Sequence, residues 1–176
     1  MNRNMNVKRM MLNAILIAIG TLLHQITPAL GLPMQPDFAL AMLFIIIIIN
    51  SDYKSALISS IIIGVLTALT TKFPGGQLPN IIDKIVTANV IYFMFKVMGT
   101  RVNNNIKMVL ALSFGTILSG LVFLGSASIL VGLPGSFNSL VFIVVIPASI
   151  MNILLGLVLY KAVGIALKAS GLQISK

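Results

Sequence analysis

The chain of 176 residues is 58% apolar and only 9% charged, and its mean hydropathy is +1.07. A soluble domain of this size could not bury that much apolar side chain, so the composition indicates a protein that lies in lipid. The net charge of +9 does not indicate a nucleic-acid-binding protein, because the 12 basic residues form no face or run with interleaved aromatic residues. With one His, three acidic residues and no Cys, the chain offers little for acid–base catalysis and nothing for a thiolate metal site.

Six apolar segments follow one another along the chain, and we predict a helix from each. Their approximate bounds are 10–28, 36–50, 54–71, 81–99, 106–132 and 138–165. Most approach the ~20 residues that a helix needs to cross the ~30 Å hydrocarbon layer, and such long apolar runs favour helices over barrel strands. The predicted fold is therefore an all-α integral membrane protein, a bundle of six transmembrane helices forming a single membrane domain over residues 1–176.

The basic residues are distributed unequally between the two sides of this predicted bundle. Ten lie at the termini and in the second and fourth connections: Arg3, Lys8, Arg9, Lys54, Lys96, Arg101, Lys107, Lys161, Lys168 and Lys176. The other side has only Lys72 and Lys84. Because Lys and Arg accumulate in cytoplasmic loops, we predict that both termini are cytoplasmic.

The connections on the outer side are rich in Pro and Gly and almost uncharged. They read "TPALGLPMQPD", "TKFPGGQLPN" and "GLPGSFN". Irregular backbone near the bilayer is tolerated where it is buried in protein or lines a cavity. We therefore predict that these loops form a structured outer rim, with residues 71–85 at its centre.

The start of the fourth predicted helix carries a group of polar residues. We expect Asn80 to be its N-cap and Asp83 to lie in its first turn, with Asn80, Asp83, Lys84 and Thr87 on one face. One interpretation is a site for a zwitterionic ligand, with Lys84 facing a carboxylate and Asp83 an ammonium. The alternative is a capped helix with a dipole partner and a snorkelling lysine. Asp37, at the start of the second helix, is interpreted as a helix-start acid.

In the first predicted helix, Asn13, Ile17, Gly20 and His24 share one face. His24 could contact a ligand, but the absence of a second His or a Glu nearby argues against a metal site. A hydrogen-bonded interior histidine is the favoured alternative. Gln25 follows at the outer end of the helix.

Small residues recur at four-residue spacing in three predicted helices. Ala14 and Ala18 would let another helix approach closely, either from a partner or within the bundle. The same spacing in the fifth and sixth helices is interpreted as packing within the bundle; it involves Gly115, Ser119, Thr116, Gly120, Ala148, Asn152 and Gly156.

Several common motifs are absent from the sequence. It contains no G-x-x-x-x-G-K-[ST], so the chain has no P-loop with which to bind ATP. It contains no H-E-x-x-H or G-x-S-x-G motif of the common hydrolases. No internal repeat is evident, which disfavours an inverted-repeat secondary transporter. We expect neither an enzyme nor a cofactor.

The six predicted helices, the Ala-x-x-x-Ala pair and the outer rim resemble the S component, the substrate-binding subunit, of an energy-coupling-factor (ECF) transporter. The stretches "LTALTTKFPGGQLPNIIDK", "GTILSGLVFLGSASILVGLPG" and "IPASIMN" resemble the bacterial tryptophan-transporter family of these subunits. The resemblance extends over about residues 10–165. It implies a multi-pass protein of the bacterial cell membrane that imports tryptophan.

The resemblance also implies partners. S components bind substrate from outside and associate with a transmembrane coupling subunit and two cytosolic ATPases. Ala14 and Ala18 would contact the coupling subunit, and the whole S component would topple in the membrane to carry its ligand inward. Such partners would supply the ATP hydrolysis for which this chain has no P-loop.

A tryptophan site needs an apolar, aromatic-lined slot with an acceptor for the indole N–H, and paired charges for the amino-acid head group. The candidate residues are Phe73, Gln77, Asn80, Asp83, Lys84, His24, Gln25 and Asn138, with Phe137 beside the last. A different small hydrophobic solute, such as a vitamin, would fit the composition nearly as well. Two other classes stay open: an intramembrane enzyme, which should show a nucleophile–base pair, and a structural or assembly subunit, which needs no elaborate outer loops.

Overall fold

The structure, a computed structural model, describes residues 3–27 and 36–170, with side chains from Val7 onwards. This part of the chain is helical throughout apart from its connections, which confirms the predicted all-α bundle. The helices are α1 (Arg3–Ile26), α2 (Phe38–Asn50), α3 (Tyr53–Leu69), α4 (Gln77–Met98), α5 (Asn104–Leu130) and α6 (Phe137–Ala169). Most of the first predicted outer loop, at residues 28–35, and Lys176 lie outside the described residues.

Helix α2 lies at the centre of the bundle, with all five other helices packed around it. Its sequence, FALAMLFIIIIIN, is apolar on every side, and the residues from Ala39 to Asn50 are all buried. A helix that is apolar all round is stable only inside other apolar material. Its 13 residues extend about 20 Å at 1.5 Å per residue, less than the ~30 Å of a bilayer core. Protein therefore surrounds this helix instead of lipid.

Helix α1 packs on α2 through the face that carries Asn13 and Gly20. Asn50 donates a hydrogen bond to Oδ1 of Asn13 over 2.9 Å, and Ile17 is only 6% exposed. Gly20 lies so close to Met42 that a Cβ atom there would stand 2.7 Å from Cγ of Met42. Asn13, Ile17 and Gly20, which were predicted to share one face of α1, therefore form its contact with α2.

The outer surface of the bundle is apolar, as expected of a protein in lipid. Three stretches of the described chain are long and apolar enough to cross a membrane, and α2 and α3 are shorter apolar helices. The three are Val7–Ile26, Asn104–Leu130 and Phe137–Ala169. Exposed side chains such as Phe93, Phe142 and Ile165 cover the outside. The architecture is that of a multi-pass membrane bundle.

Both α5 and α6 contain one π-helical turn, at Ala111–Gly115 and Val141–Val145. In α6 the turn directly precedes Ile146 and Pro147. Because Pro147 has no N–H and its ring excludes the carbonyl four residues earlier, a regular α-helical bond cannot form there. In α6 the helix accommodates the proline by a widened turn.

Helix α4 begins earlier than predicted. Gly76 is its N-cap and Gln77 its first residue, because the turn closed by the Gly76 N–H on the Phe73 carbonyl (2.9 Å) directs the chain into the helix. Asn80 already lies inside the helix, and its amide donates to the Gly76 carbonyl. The prediction that Asn80 caps α4 is wrong, and Asp83 lies in the second turn instead of the first.

Candidate functional site

A cavity of about 550 Å³ lies at the end of the bundle where α1 ends and α2 begins. Its walls come from α1, α2, α4, α5 and α6 and from the connections before α4 and α6. These connections are two of the predicted outer loops. The cavity therefore lies beside the loops that were predicted from the sequence to form a structured outer rim.

Three charged side chains meet at the cavity. The Nζ atom of Lys84 lies 2.8 Å from Oδ2 of Asp37 and 2.5 Å from Oδ2 of Asp83. The side chains of Lys84 and Asp83 are 2% exposed, whereas that of Asp37 is 20% exposed. Buried charges persist in apolar surroundings only when they are paired, and this cluster pairs its ammonium with two carboxylates. The snorkelling lysine considered from the sequence is thus not what the structure contains.

Each carboxylate is held by further hydrogen bonds. The Thr87 hydroxyl donates to Oδ1 of Asp83 over 3.1 Å. Asp37 accepts from the Leu40 N–H over 2.9 Å, so it is the N-cap of α2, and the interpretation as a helix-start acid is confirmed. That interpretation was incomplete, because Asp37 also pairs with Lys84 and lines the cavity.

His24 lies next to the charged cluster. Its Nδ1 atom is 3.4 Å from Oδ1 of Asp37, and its side chain is 14% exposed. The ring lines the cavity at the end of α1. Among the described residues, no group of three or more His, Cys, Asp or Glu side chains could hold a metal ion.

Polar residues of α5 and α6 form another part of the wall. Asn152 accepts the Asp37 backbone N–H over 2.8 Å and donates to the Thr116 hydroxyl over 3.3 Å. Ser119, Gly120 and Ala148 complete this stretch. The interpretation of the small residues as packing is confirmed for Gly115, Gly120 and Gly156, whose Cβ positions lie against Phe44, Val145 and Leu112 respectively. It was incomplete, because Thr116, Ser119, Gly120, Ala148 and Asn152 also line the cavity. Polar side chains in otherwise apolar helices were the signal that could have identified Thr116, Ser119 and Asn152.

The remaining wall is apolar and aromatic. Phe73 and Phe123 meet edge to face, with ring centroids 5.3 Å apart. They belong to a cluster with Leu124, Leu133 and Val145, all of which line the cavity. The cavity thus combines a charged and polar part with an aromatic part.

The residues predicted for a site divide into two groups. His24, Phe73, Asn80, Asp83 and Lys84 line the cavity. The others are exposed side chains that do not line it: Gln25, Gln77, Phe137 and Asn138. Gln25 follows His24 by about 100° around α1, which turns it away from the cavity.

Comparison with known proteins decides the family. The family model described as "Tryptophan transporter TrpP" matches residues 6–168 of this chain. The chain belongs to the tryptophan transporter TrpP family. The resemblance noted from the sequence to a tryptophan-transporter family is thereby confirmed, and so is the expectation of a transport protein that is not an enzyme.

Three relatives of this TrpP-family chain carry the name "Probable tryptophan transport protein". One from Clostridium perfringens is 49% identical and covers 98% of this chain and 100% of its own length. One from Clostridium acetobutylicum is 48% identical over 90% of this chain and 93% of its own. One from Bacillus subtilis is 40% identical over 94% of this chain and 96% of its own. No solved structure matches the chain.

In this member of the TrpP family, Ala14 and Ala18 lie on the outside of α1. Both are exposed, whereas Leu16 and Ile17 beside them are buried against the bundle. The alternative that this alanine pair packs within the bundle is therefore wrong. The pair forms a small-residue stretch on the outer surface of a membrane-spanning helix.

Proposed function

We propose that this chain binds tryptophan in the cavity and acts as the S component of an ECF importer. One observation carries the proposal: a single cavity holds the buried Asp37–Lys84–Asp83 cluster on one part of its wall and the Phe73–Phe123 pair on another. Ionisable side chains among membrane helices are costly and usually serve a ligand or transport path. The family and the names of the relatives direct the choice of ligand to tryptophan.

The dimensions and chemistry of the cavity support this ligand. Its volume of about 550 Å³ lies within the ~300–1,000 Å³ of small-molecule sites. The indole ring would pack among Phe73, Phe123 and Leu133, where aromatic contacts favour it. The zwitterionic head group would lie at the charged cluster, because the attraction between opposite charges is stronger where water is displaced.

The remaining parts of the proposal concern energy and orientation. Because the sequence contains no P-loop, ATP would be hydrolysed by two cytosolic ATPases, joined to this chain through a transmembrane coupling subunit. Ala14 and Ala18 would be the contact with that subunit, since small residues allow close helix approach in lipid. The basic residues would place both termini in the cytoplasm and the cavity toward the outside of the bacterial cell membrane.

Two measurements test the proposal. Purified protein in detergent or nanodiscs should bind radiolabelled tryptophan saturably with a stoichiometry of one, and unlabelled tryptophan should displace it. Cells should accumulate tryptophan only when they express the protein together with a coupling subunit and ATPases. These partners should co-purify with the protein.

The alternatives make different predictions in the same assays. A folded protein that binds no tryptophan but is protected against thermal unfolding by a vitamin would favour another solute. A protein that binds neither ligand would favour a structural or assembly subunit. Uptake without ATPase partners would contradict the ECF assignment while leaving tryptophan binding intact.

A further inference from the structure

We infer that the cavity recognises the ammonium group of its ligand at Asp37 and the carboxylate at Lys72, so that the amine is the decisive head group. This inference rests on the proposed function and specifies how that site selects its ligand. It predicts that an indole amine is a far better ligand than an indole acid.

The charges of the cluster provide the first argument. Asp37 and Asp83 share one ammonium, that of Lys84, so the three side chains carry a net charge of −1 when both carboxylates are ionised and His24 is neutral. An excess charge in apolar surroundings is unfavourable until a counter-charge arrives. A ligand ammonium would supply that counter-charge, whereas a ligand carboxylate would add to the excess.

Exposure decides which aspartate receives the ammonium. The Asp83 side chain is 2% exposed and both of its oxygens are engaged, one by Lys84 and the other by Thr87. The Asp37 side chain is 20% exposed and lines the cavity beside His24. Asp37 therefore has carboxylate surface within reach of a ligand, and Asp83 positions Lys84.

The second cation of the cavity wall is Lys72. Among the described residues that line the cavity, Lys72 and Lys84 are the two lysines, and the Lys84 side chain is only 2% exposed. Lys72 is exposed in the connection that precedes α4, with Nζ 3.4 Å from the Thr27 carbonyl. An exposed lysine interacts with a carboxylate more weakly than a buried group does, because water screens the pair. The ligand carboxylate should therefore contribute less to affinity than the ammonium.

The experiment compares three ligands on the full-length purified protein: tryptophan, tryptamine, which lacks the carboxylate, and indole-3-propionate, which lacks the ammonium. Displacement of radiolabelled tryptophan by the other two gives their relative affinities. The affinity for tryptamine should lie within about tenfold of that for tryptophan. The affinity for indole-3-propionate should be lower than that for tryptophan by at least about a hundredfold.

Two variants assign the head groups to residues. Asp37→Asn should lower the affinities for tryptophan and tryptamine about tenfold or more, and should leave the affinity for indole-3-propionate unchanged or raise it. Asn is as good an N-cap as Asp, so α2 should still begin at the same residue. Lys72→Gln should lower the affinity for tryptophan by about two- to fivefold and leave the affinity for tryptamine unchanged.

The chain contains matched controls for both substitutions. Asp52 is also an N-cap, accepting the Ser55 N–H, and Lys54 follows on α3; neither residue lines the cavity. Asp52→Asn and Lys54→Gln should therefore leave the affinities for all three ligands unchanged.

The outcomes separate this inference from the proposed function. If the wild-type protein binds tryptophan but indole-3-propionate displaces it as well as tryptamine does, the inference is wrong and the proposed function stands. If Asp37→Asn weakens tryptophan no more than Asp52→Asn does, Asp37 does not receive the ammonium. If the wild-type protein binds no tryptophan, the proposed function itself fails.

Discussion

Lys84 of α4 places its Nζ atom 2.8 Å from Oδ2 of Asp37, the residue that caps the central helix α2. The same Nζ atom bonds to Asp83, one residue earlier on α4. A single ammonium thus fixes the start of the most buried helix to α4, which carries two of the three charged side chains of the cluster. The stability of the bundle and the electrostatics of the cavity depend on the same side chain.

The first prediction concerns the removal of that ammonium. Lys84→Gln leaves the buried Asp83 and the partly exposed Asp37 without their cation, which should lower the free energy of unfolding by about 3–5 kcal/mol. The melting temperature in detergent measures the loss. Lys54→Gln, on an exposed part of α3, should change the unfolding free energy by less than about 0.5 kcal/mol.

A double variant checks the cause of that loss. Asp83→Asn in the Lys84→Gln background removes one of the two unpaired charges, so it should restore part of the lost melting temperature. A further fall in the melting temperature of the double variant would show that volume or hydrogen bonding matters more than charge.

The second prediction concerns close packing around α2. A Cβ atom at Gly115 would lie 2.6 Å from Cζ of Phe44, whose side chain is fully buried. Because the buried Phe44 ring would have to shift to admit the added methyl group, Gly115→Ala should destabilise the protein by about 1–3 kcal/mol. Thermal unfolding measures the change.

Gly125→Ala on the same helix is the matched control. Apart from its chain neighbours and the backbone of its own helix, no atom lies within 4 Å of the position that its Cβ would occupy, so the substitution should be neutral or stabilise by up to about 1 kcal/mol. Equal effects at Gly115 and Gly125 would mean that helix propensity, not the contact with Phe44, determines the result.

The helical architecture could be predicted from the sequence because long apolar runs have few alternatives in lipid. The apolar run from Phe38 to Asn50 predicts a helix, and helical periodicity places Asn13 and Gly20 on one face of α1. That this face packs on α2 is a finding of the structure. The start of α4 could not be predicted, since Asn80 is a good N-cap by residue type. The turn from Phe73 to Gly76, which depends on its backbone geometry, decided the boundary instead.

The cavity was only partly predictable for a different reason. Asp83 and Lys84 are adjacent in sequence, so they could be predicted together as part of a site. Asp37, Thr116 and Asn152 reach the cavity only through the packing of separate helices. No local pattern distinguishes an N-cap aspartate such as Asp52 from one that also pairs with a distant lysine. Predicting these contacts requires the tertiary arrangement.

The third prediction tests the aromatic part of the cavity. Phe123→Ala removes the ring that meets Phe73 edge to face, and aromatic pairs contribute about 0.5–1.5 kcal/mol beyond their buried area. If indole packs against this pair, tryptophan affinity should fall about tenfold or more in the same displacement assay. Phe142→Ala, at a side chain 69% exposed on the outside of α6, should leave affinity unchanged. Equal affinities of the two variants would place the indole elsewhere.

The last prediction separates binding from transport. Ala14 and Ala18 are exposed on α1 and absent from the cavity wall, so leucine at either position should leave tryptophan binding by the purified protein within about twofold of wild type. If a helix of the coupling subunit packs closely on these alanines, the larger side chain prevents the approach, and uptake into cells should be abolished.

Ala162→Leu provides the comparison for these variants. Ala162 is exposed on α6, so this substitution adds the same side chain to another part of the surface. It should retain both binding and uptake. Co-purification of the coupling subunit should fall with Ala14→Leu and Ala18→Leu and persist with Ala162→Leu. Parallel loss of binding and uptake in the α1 variants would instead mean that these alanines maintain the bundle, and the proposed contact on α1 would then have to be abandoned.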